Sequence, residues 1–404
     1  MKLTARHTVR ASYIGYLTQA ITINFAPLLF VTFEKTYDIS LGRIGLLIGV
    51  SFLIQLICDG LAAKFSNKIN TRAAVIIAHV CAVLGMTGFA YLPDLLPDPY
   101  IGLLIAVSVA AIGGGIIEVF ISPIVEAAPT ENKSGEMSLL HSFYSWGLAG
   151  VALLSTLFFT FVGIEHWRIL SCLWAIVPAL GALAFCFVPI YELDAAPENG
   201  EEKPTSIFRS GIFWIFVVMM FASGASEQAM SQWASNFAQA GLGVSKTLGD
   251  LLGPFSFAVL MGLARVGYGK SGGKIKLVKL IVISAVLCIV SYLLAALSPY
   301  PLLSLVGCAL CGLATGIMWP GTYSLASAKM PYGGVQMFAL LAMAGDLGCL
   351  AGPTAAGWIA EACGNDLQIS FLISIIFPVL ILLMVFLGFG KRGKNKQKGQ
   401  KNGT

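Results

Sequence analysis

Apolar residues run through this chain in long blocks, and the polar residues between them come in short clusters. A tilted helix needs about 20 mostly apolar residues to cross a hydrocarbon core. Twelve blocks reach that length: 11–33, 43–64, 73–93, 100–126, 137–162, 167–189, 211–237, 248–268, 277–297, 301–328, 336–360 and 367–389. Most of the interruptions are short, so consecutive helices are expected to pack antiparallel. The exception is Tyr191–Ser210, "YELDAAPENGEEKPTSIFRS", the longest polar stretch before the C-terminus. The pattern predicts an all-α membrane protein of twelve transmembrane helices in two six-helix bundles. The bundles take residues 1–190 and 211–390, joined by a linker at 191–210 and followed by a basic, Gly-rich tail at 391–404 expected to be disordered.

Composition strengthens this reading, since 57% of residues are hydrophobic and only 11% charged, far from soluble usage. Charge then sets an orientation. All Lys and Arg except Lys35, Arg43, Arg168 and Lys246 fall on the side that carries the N-terminus, and positive loops stay cytoplasmic. Both termini and the linker are therefore expected inside a plasma membrane. The net charge of +5 reflects this asymmetry and not a nucleic-acid surface. The first block is too long for a signal-peptide core and lacks a small-residue cleavage site, so it is read as a retained helix. The nine cysteines sit almost all inside predicted helices, with no metal-ligand or disulfide spacing. No metal and no cofactor are expected.

The two halves echo each other. "ISLGRIGLLIGVSFLIQLICDGLAAKF" from Ile39 runs parallel to "VSKTLGDLLGPFSFAVLMGLARVGYGK" from Val244, with Ser40 matching Ser245 and Phe52 matching Phe257, and Pro123 pairs with Pro320. Parallel repeats of this kind build many secondary transporters, with the substrate site at their interface near the midplane. The chain resembles the major facilitator superfamily at three places. "DGLAAKFSNKINTR", Asp59–Arg72, is similar to that superfamily's acidic-then-basic loop and carries Asp59, Lys64 and Arg72. "ARVGYGKSGGKIK" around Arg265 is a weaker copy, and "GCLAGPTAAG", Gly348–Gly357, is similar to its Gly-Pro packing motif. Small residues there let helices approach closely. The resemblance implies gating or conformational roles for these segments.

Within that superfamily, Gly113, Gly115, Glu118 and then Pro123 in the fourth span resemble the fucose and glucose/galactose permease family, whose studied member is a fucose:proton symporter. "LLHSFYSWG" in the fifth span and "WPGTYSLA" in the tenth are similar to the same family. The family's helix 1 coupling aspartate is replaced by Pro27 here, with Asn24 one turn away, and its Asn before the fourth-span proline is Ser122. Coupling would then fall to Glu118, alone or with His141.

The residues themselves point the same way. An ionisable group inside a span is costly unless it faces a cavity or a partner, so it reads as functional by default. Glu118, Ser122 and Glu126 recur four residues apart and form one polar stripe; the alternative for Glu118 is a hydrogen bond that glues helices together. Glu126 lies near the span's end, where gating and plain solvation compete. In the seventh span Gln228, Gln232 and Ser235 share a face with Glu227 beside them, a candidate substrate-cavity wall or a packing surface. Asp346 is equally a gating residue or a pin for the eleventh span. His141 shares a face with Tyr144 and Ser145, and an imidazole titrates near neutral pH, so it is either a proton carrier or substrate donor, or a buried neutral ring. His79 reads as structural, and His7 and His166 lie at the membrane surface.

Tyr144, Trp146, Trp233, Trp319 and Tyr323 offer rings that would stack on the apolar face of a sugar, although rings in a bundle also serve packing. Gln19 and Asn24 in the first span, and Gln55 in the second, are weaker polar candidates. No phosphate loop, hydrolytic triad or HExxH pattern is present, so neither ATP drive nor an enzyme is indicated, and no filter-like loop suggests a channel. The expected function is secondary active transport of a small polar solute, best matched by a sugar, with a proton or sodium ion as symported partner. Efflux of amphipathic compounds by proton antiport is the alternative. A monomer in the lipid bilayer is expected.

Overall fold

The computed structural model describes residues 3–39, 41–65, 68–191, 207–234, 237–238, 243–244, 251–271, 275–331, 333–364 and 366–390. The linker from 192 to 206, the tail from 391, and Ser40, Ser235, Ser245 and Lys246 lie outside the described residues. Among the described residues all regular structure is helical. The helices are α1 Ala5–Asn24, α2 Phe30–Tyr37, α3 Leu41–Phe65, α4 Thr71–Leu95, α5 Pro99–Ala127, α6 Lys133–Phe161, α7 Trp167–Trp174, α8 Ile176–Phe187, α9 Gly211–Ser231, α10 Ser256–Lys270, α11 Leu277–Leu297, α12 Pro301–Thr315, α13 Met318–Lys329, α14 Gly334–Ala362, α15 Leu367–Ser374 and α16 Ile376–Phe389.

Ten stretches among the described residues are long and apolar enough to cross a membrane. They coincide with predicted spans three to twelve, and α1 and α3 fall on the first two. This is an all-α membrane protein. By internal packing it resolves into two units, Met1–Asp194 with Gly334–Met343, and Ala195–Gly333 with Ala344–Thr404.

Proline explains where spans break. The sixth span parts at Ala175 into α7 and α8, and the twelfth at Ile375 into α15 and α16, each three residues before a proline, Pro178 or Pro378. A proline has no amide to continue the ladder and fits the first turn of a new helix. The tenth span likewise parts into α12 and α13 around Gly316 and Ile317, ahead of Pro320. The first span departs most from its predicted extent: α1 ends at Asn24, Pro27 sits in a 3-10 turn at Ala26–Leu29, and α2 carries the chain on to Tyr37. Side chains start several of the others, with Asn70, Asp98 and Asn132 each accepting an amide of the first turn.

In the first unit, α5 lies at the centre because three glycines let three neighbours close on it. A Cβ on Gly113 would stand 2.6 Å from the Ala78 carbonyl of α4, one on Gly114 would stand 3.0 Å from Thr22 of α1, and one on Gly115 would stand 3.2 Å from Gln55 Cα of α3. An aromatic core of Phe25, Phe33, Phe89 and Trp167 packs beyond them, with Phe33 and Trp167 edge to face at 5.4 Å. The second unit has its own ring cluster, in which Phe371 meets Phe237 at 5.0 Å and Tyr292 at 6.0 Å.

Candidate functional site

The glycine run that admits α1 against α5 places Glu118 next to it. Glu118 is buried, and its Oε2 accepts from Gln19 Nε2 at 2.6 Å, a charge-assisted length if the carboxyl is ionised. One turn further along both helices, Tyr16 Oη and Ser122 Oγ lie 2.7 Å apart. The same hydroxyl is 3.3 Å from Nε2 of His141 on α6, whose ring meets the tyrosine edge-on at 4.8 Å. Five polar side chains from α1, α5 and α6 therefore form two adjoining rungs: Gln19 with Glu118, and Tyr16 with Ser122 and His141. Tyr16 is absent from the sequence-based candidates, because a tyrosine in an apolar block reads as packing. Its position three residues before Gln19 was the available signal.

The remaining candidates of this unit are more dispersed. Tyr144 and Trp146 are half-buried on α6. Asn24 turns its amide back onto the Ala20 carbonyl of its own helix at 2.9 Å, and Gln55 does the same toward Ser51. Glu126 is buried at the end of α5, where Lys133 Nζ donates to its backbone carbonyl at 2.7 Å. Asp59 is fully buried on α3, while Lys64 is exposed against the Phe65 ring. Arg72 donates to the Phe185, Cys186 and Val188 carbonyls, so it caps the C-terminal end of α8 with a positive charge. His79 donates Nδ1–H to the Val75 carbonyl at 2.7 Å, beneath Gly181, and His7 Nδ1 accepts from the Thr4 amide at the start of α1.

A separate cluster sits just beyond the first predicted span. Arg168 bridges Asp94 at 2.8 Å and donates to Tyr37 Oη at 2.8 Å, and Tyr37 in turn donates to Asp94. Burial, aided by that hydrogen bond, pushes the Tyr37 phenol up to about 12. The cluster ties α2 to α4 and α7, and the spacing of its members along the chain gave no hint of it.

In the second unit the polar groups of α9 divide between two surroundings. Glu227 is buried and pairs with Arg265 of α10, Oε2 to NH2 at 3.4 Å. Gln228 is half-buried and Gln232 exposed, and Gln232 Nε2 donates to Gln228 Oε1 at 3.1 Å. Glu227, expected beside the glutamine face, turns to a cation in the protein, while Gln228 and Gln232 are less buried. Arg265, in the segment that resembles the second acidic-then-basic loop, is a buried helical residue whose Nε donates to the Gly316 carbonyl at 2.8 Å.

Trp319 and Tyr323 meet edge to face at 6.3 Å on α13, and Gly345 of α14 lies directly under the Trp319 ring. The buried Trp319 indole N–H has no hydrogen-bond partner among the described residues. Trp233 donates its indole N–H to the Pro353 carbonyl at 2.9 Å. Asp346 is buried beside Gly345. The Gly-Pro segment behaves as its composition implies, with Gly348 against the Phe221 carbonyl and Gly352 against Ala225 of α9. Among the described residues there is no group of three or more His, Cys, Asp or Glu that would hold a metal ion.

Comparison with known proteins follows the fold. The sequence profile of the Major Facilitator Superfamily matches residues 12–337. Among curated protein sequences nothing matches. Solved structures do: FucP, the fucose:proton symporter of E. coli, in its outward conformation, superposes with a TM-score of 0.77 at 15% identity over 93% of this chain and 97% of its own. The proton:xylose symporter XylE bound to 6-bromo-6-deoxy-D-glucose gives 0.80 at 14% identity over 96% of each chain. The human organic anion transporter MFSD10 gives 0.70 at 17% identity over 95% of this chain and 99% of its own. At such identities the likeness is one of fold.

Proposed function

The chain belongs to the major facilitator superfamily and is a multi-pass membrane transporter of that fold, and from that premise we propose that it carries a small polar solute of the sugar class by symport with a cation. The observation that carries the reading is Glu118, a carboxyl inside a span, bonded to Gln19 and one turn from Tyr16, Ser122 and His141. A group of this kind is expensive in hydrocarbon and is best accounted for by gain and loss of charge during the transport cycle. Glu118 would take up a proton, or hold a sodium ion, when open to one side and give it up to the other. His141, joined to the same stripe through Tyr16, would be its partner across α5 and α6.

For the solute, the half-buried Gln228 and the exposed Gln232 offer the neutral donors and acceptors that hydroxyl groups need. Trp319 adds a ring and an unspent indole N–H. The solved sugar:proton symporters of the same fold favour the sugar class, and the basic bias of the loops favours a plasma-membrane location with both termini and the 191–210 linker inside.

The test is uptake into proteoliposomes from a panel of labelled sugars, with proton and sodium gradients imposed separately. Glu118→Gln, which mimics the permanently protonated form, is expected to lose accumulation against a gradient and keep exchange under counterflow. Loss of sodium dependence alone would assign the ion as sodium. A variant that still accumulates solute with unchanged pH and sodium dependence would overturn the assignment of Glu118. Extrusion of amphipathic dyes in exchange for protons, with no sugar uptake, would favour antiport.

A further inference from the structure

The break in the tenth span leaves a backbone carbonyl without its helical partner. In an unbroken helix the Gly316 carbonyl would accept from the amide of residue 320, but residue 320 is proline and has none. The ladder is intact on either side, with the Gly316 amide bonded to Gly312 and the Gly321 amide to Ile317. Arg265 reaches in from α10 and donates Nε to the stranded carbonyl at 2.8 Å. Its NH2 lies 3.4 Å from Glu227 Oε2 on α9, and both residues are buried.

We propose that Glu227 and Arg265 are positioning residues that hold the tenth-span break and, through it, fix where α13 carries Trp319 and Tyr323. Arg265 supplies the donor that Pro320 removes. Glu227 supplies the counter-charge that lets a guanidinium sit there, because an uncompensated buried charge is strongly destabilising. The division of labour explains why both charges lie in otherwise apolar spans 38 residues apart. It also takes Glu227 out of the solute-binding set and leaves Gln228 and Gln232 there.

The chemistry predicts a specific coupling. Arg265→Lys keeps the positive charge beside Glu227 but loses the Nε donor. Pro320→Ala restores the missing amide, so the carbonyl no longer depends on Arg265. The readout is hydrogen exchange of the full chain in detergent micelles, comparing amides of residues 316–322 with those of α4 as an internal reference. R265K is expected to speed exchange at 316–322 by about tenfold, the scale of a lost charge-assisted bond, with α4 unchanged. In the P320A background the same substitution should change exchange by less than about twofold, since the two changes act on one carbonyl. Equal acceleration in both backgrounds, or none in either, would overturn the proposal.

The charge half has its own readout in folded yield by size exclusion. Glu227→Gln alone should lower it, and the neutral double variant Glu227→Gln with Arg265→Gln should recover it while keeping the fast exchange at 316–322. A double variant worse than either single change would show that the two charges do not neutralise each other. None of these measurements needs the solute, so they stand or fall separately from the transport assignment.

Discussion

Gly348 offers a test of whether close backbone approach holds the second unit together. Replacing it with alanine would place a Cβ 2.0 Å from the Phe221 carbonyl oxygen and 3.0 Å from the Ala225 amide, whereas ordinary contact begins at 3.4 Å. The shortfall toward the carbonyl, about 1.4 Å, cannot be absorbed by a side-chain rotation, because the opposing atoms are backbone. Either α14 and α9 separate or one of them bends. Overpacking of this kind costs about 1–3 kcal/mol. Alanine also gains up to about 1 kcal/mol over glycine in helix propensity, which would mask part of the cost.

Gly267 removes that ambiguity. It is exposed on α10, and nothing lies within 4 Å of where its Cβ would be, so Gly267→Ala carries the propensity gain without the clash. The difference between the two variants isolates the steric term. Thermal unfolding followed by size exclusion in detergent should place Gly348→Ala below the parent and Gly267→Ala at or above it. Equal midpoints for the two variants would refute the claim that the α9 and α14 backbones are in limiting contact.

Two further outcomes follow from the sites described. Alanine at Gln228 or Gln232 should weaken apparent solute affinity by the worth of a neutral hydrogen bond, about 0.5–1.5 kcal/mol, without loss of folded protein; unchanged affinity in both would assign this pair to packing. Tyr37 titrates near pH 10 when unfolded and is held neutral up to about 12 in the folded chain, so the stability it contributes is complete below pH 10 and is lost as pH rises from there toward 12. Tyr37→Phe should flatten the alkaline arm of the unfolding midpoint against pH, and parallel curves for variant and parent would exclude the tyrosine as its source.

The spans were legible because hydrocarbon imposes a length on every block, and the ninth span runs Leu277–Leu297 in both pattern and structure. What the pattern could not carry was any interruption that stays apolar. The breaks at Ala175 and Ile375 leave hydrophobicity untouched, so only Pro178 and Pro378 marked them. The Glu118 stripe was visible because its members sit one turn apart on a single helix. The partners that give it meaning, Gln19 and Tyr16, are 99 and 106 residues from the atoms they bond. Separations of that size leave no trace in a single sequence. Arg265 falls inside the eighth predicted span, as it does inside α10, but its partners Gly316 and Glu227 lie 51 and 38 residues away and could not be read from the chain.

The prolines that echo between the halves acquire a common physical sense from these details. Pro123 lies inside the continuous α5 immediately after Ser122 and offers no amide to the Val119 carbonyl, one residue from Glu118. Pro320 frees the Gly316 carbonyl, which Arg265 takes, immediately after Trp319. In hydrocarbon a stranded carbonyl must find a donor inside the protein. A span broken in this way therefore recruits polar side chains from its neighbours, and those side chains must in turn be paired or hydrogen-bonded to be tolerated. In the second unit the carbonyl that Pro320 leaves without an amide is taken by Arg265, and the demand for that hydrogen bond, together with the Glu227 counter-charge, accounts for a buried arginine within an apolar bundle.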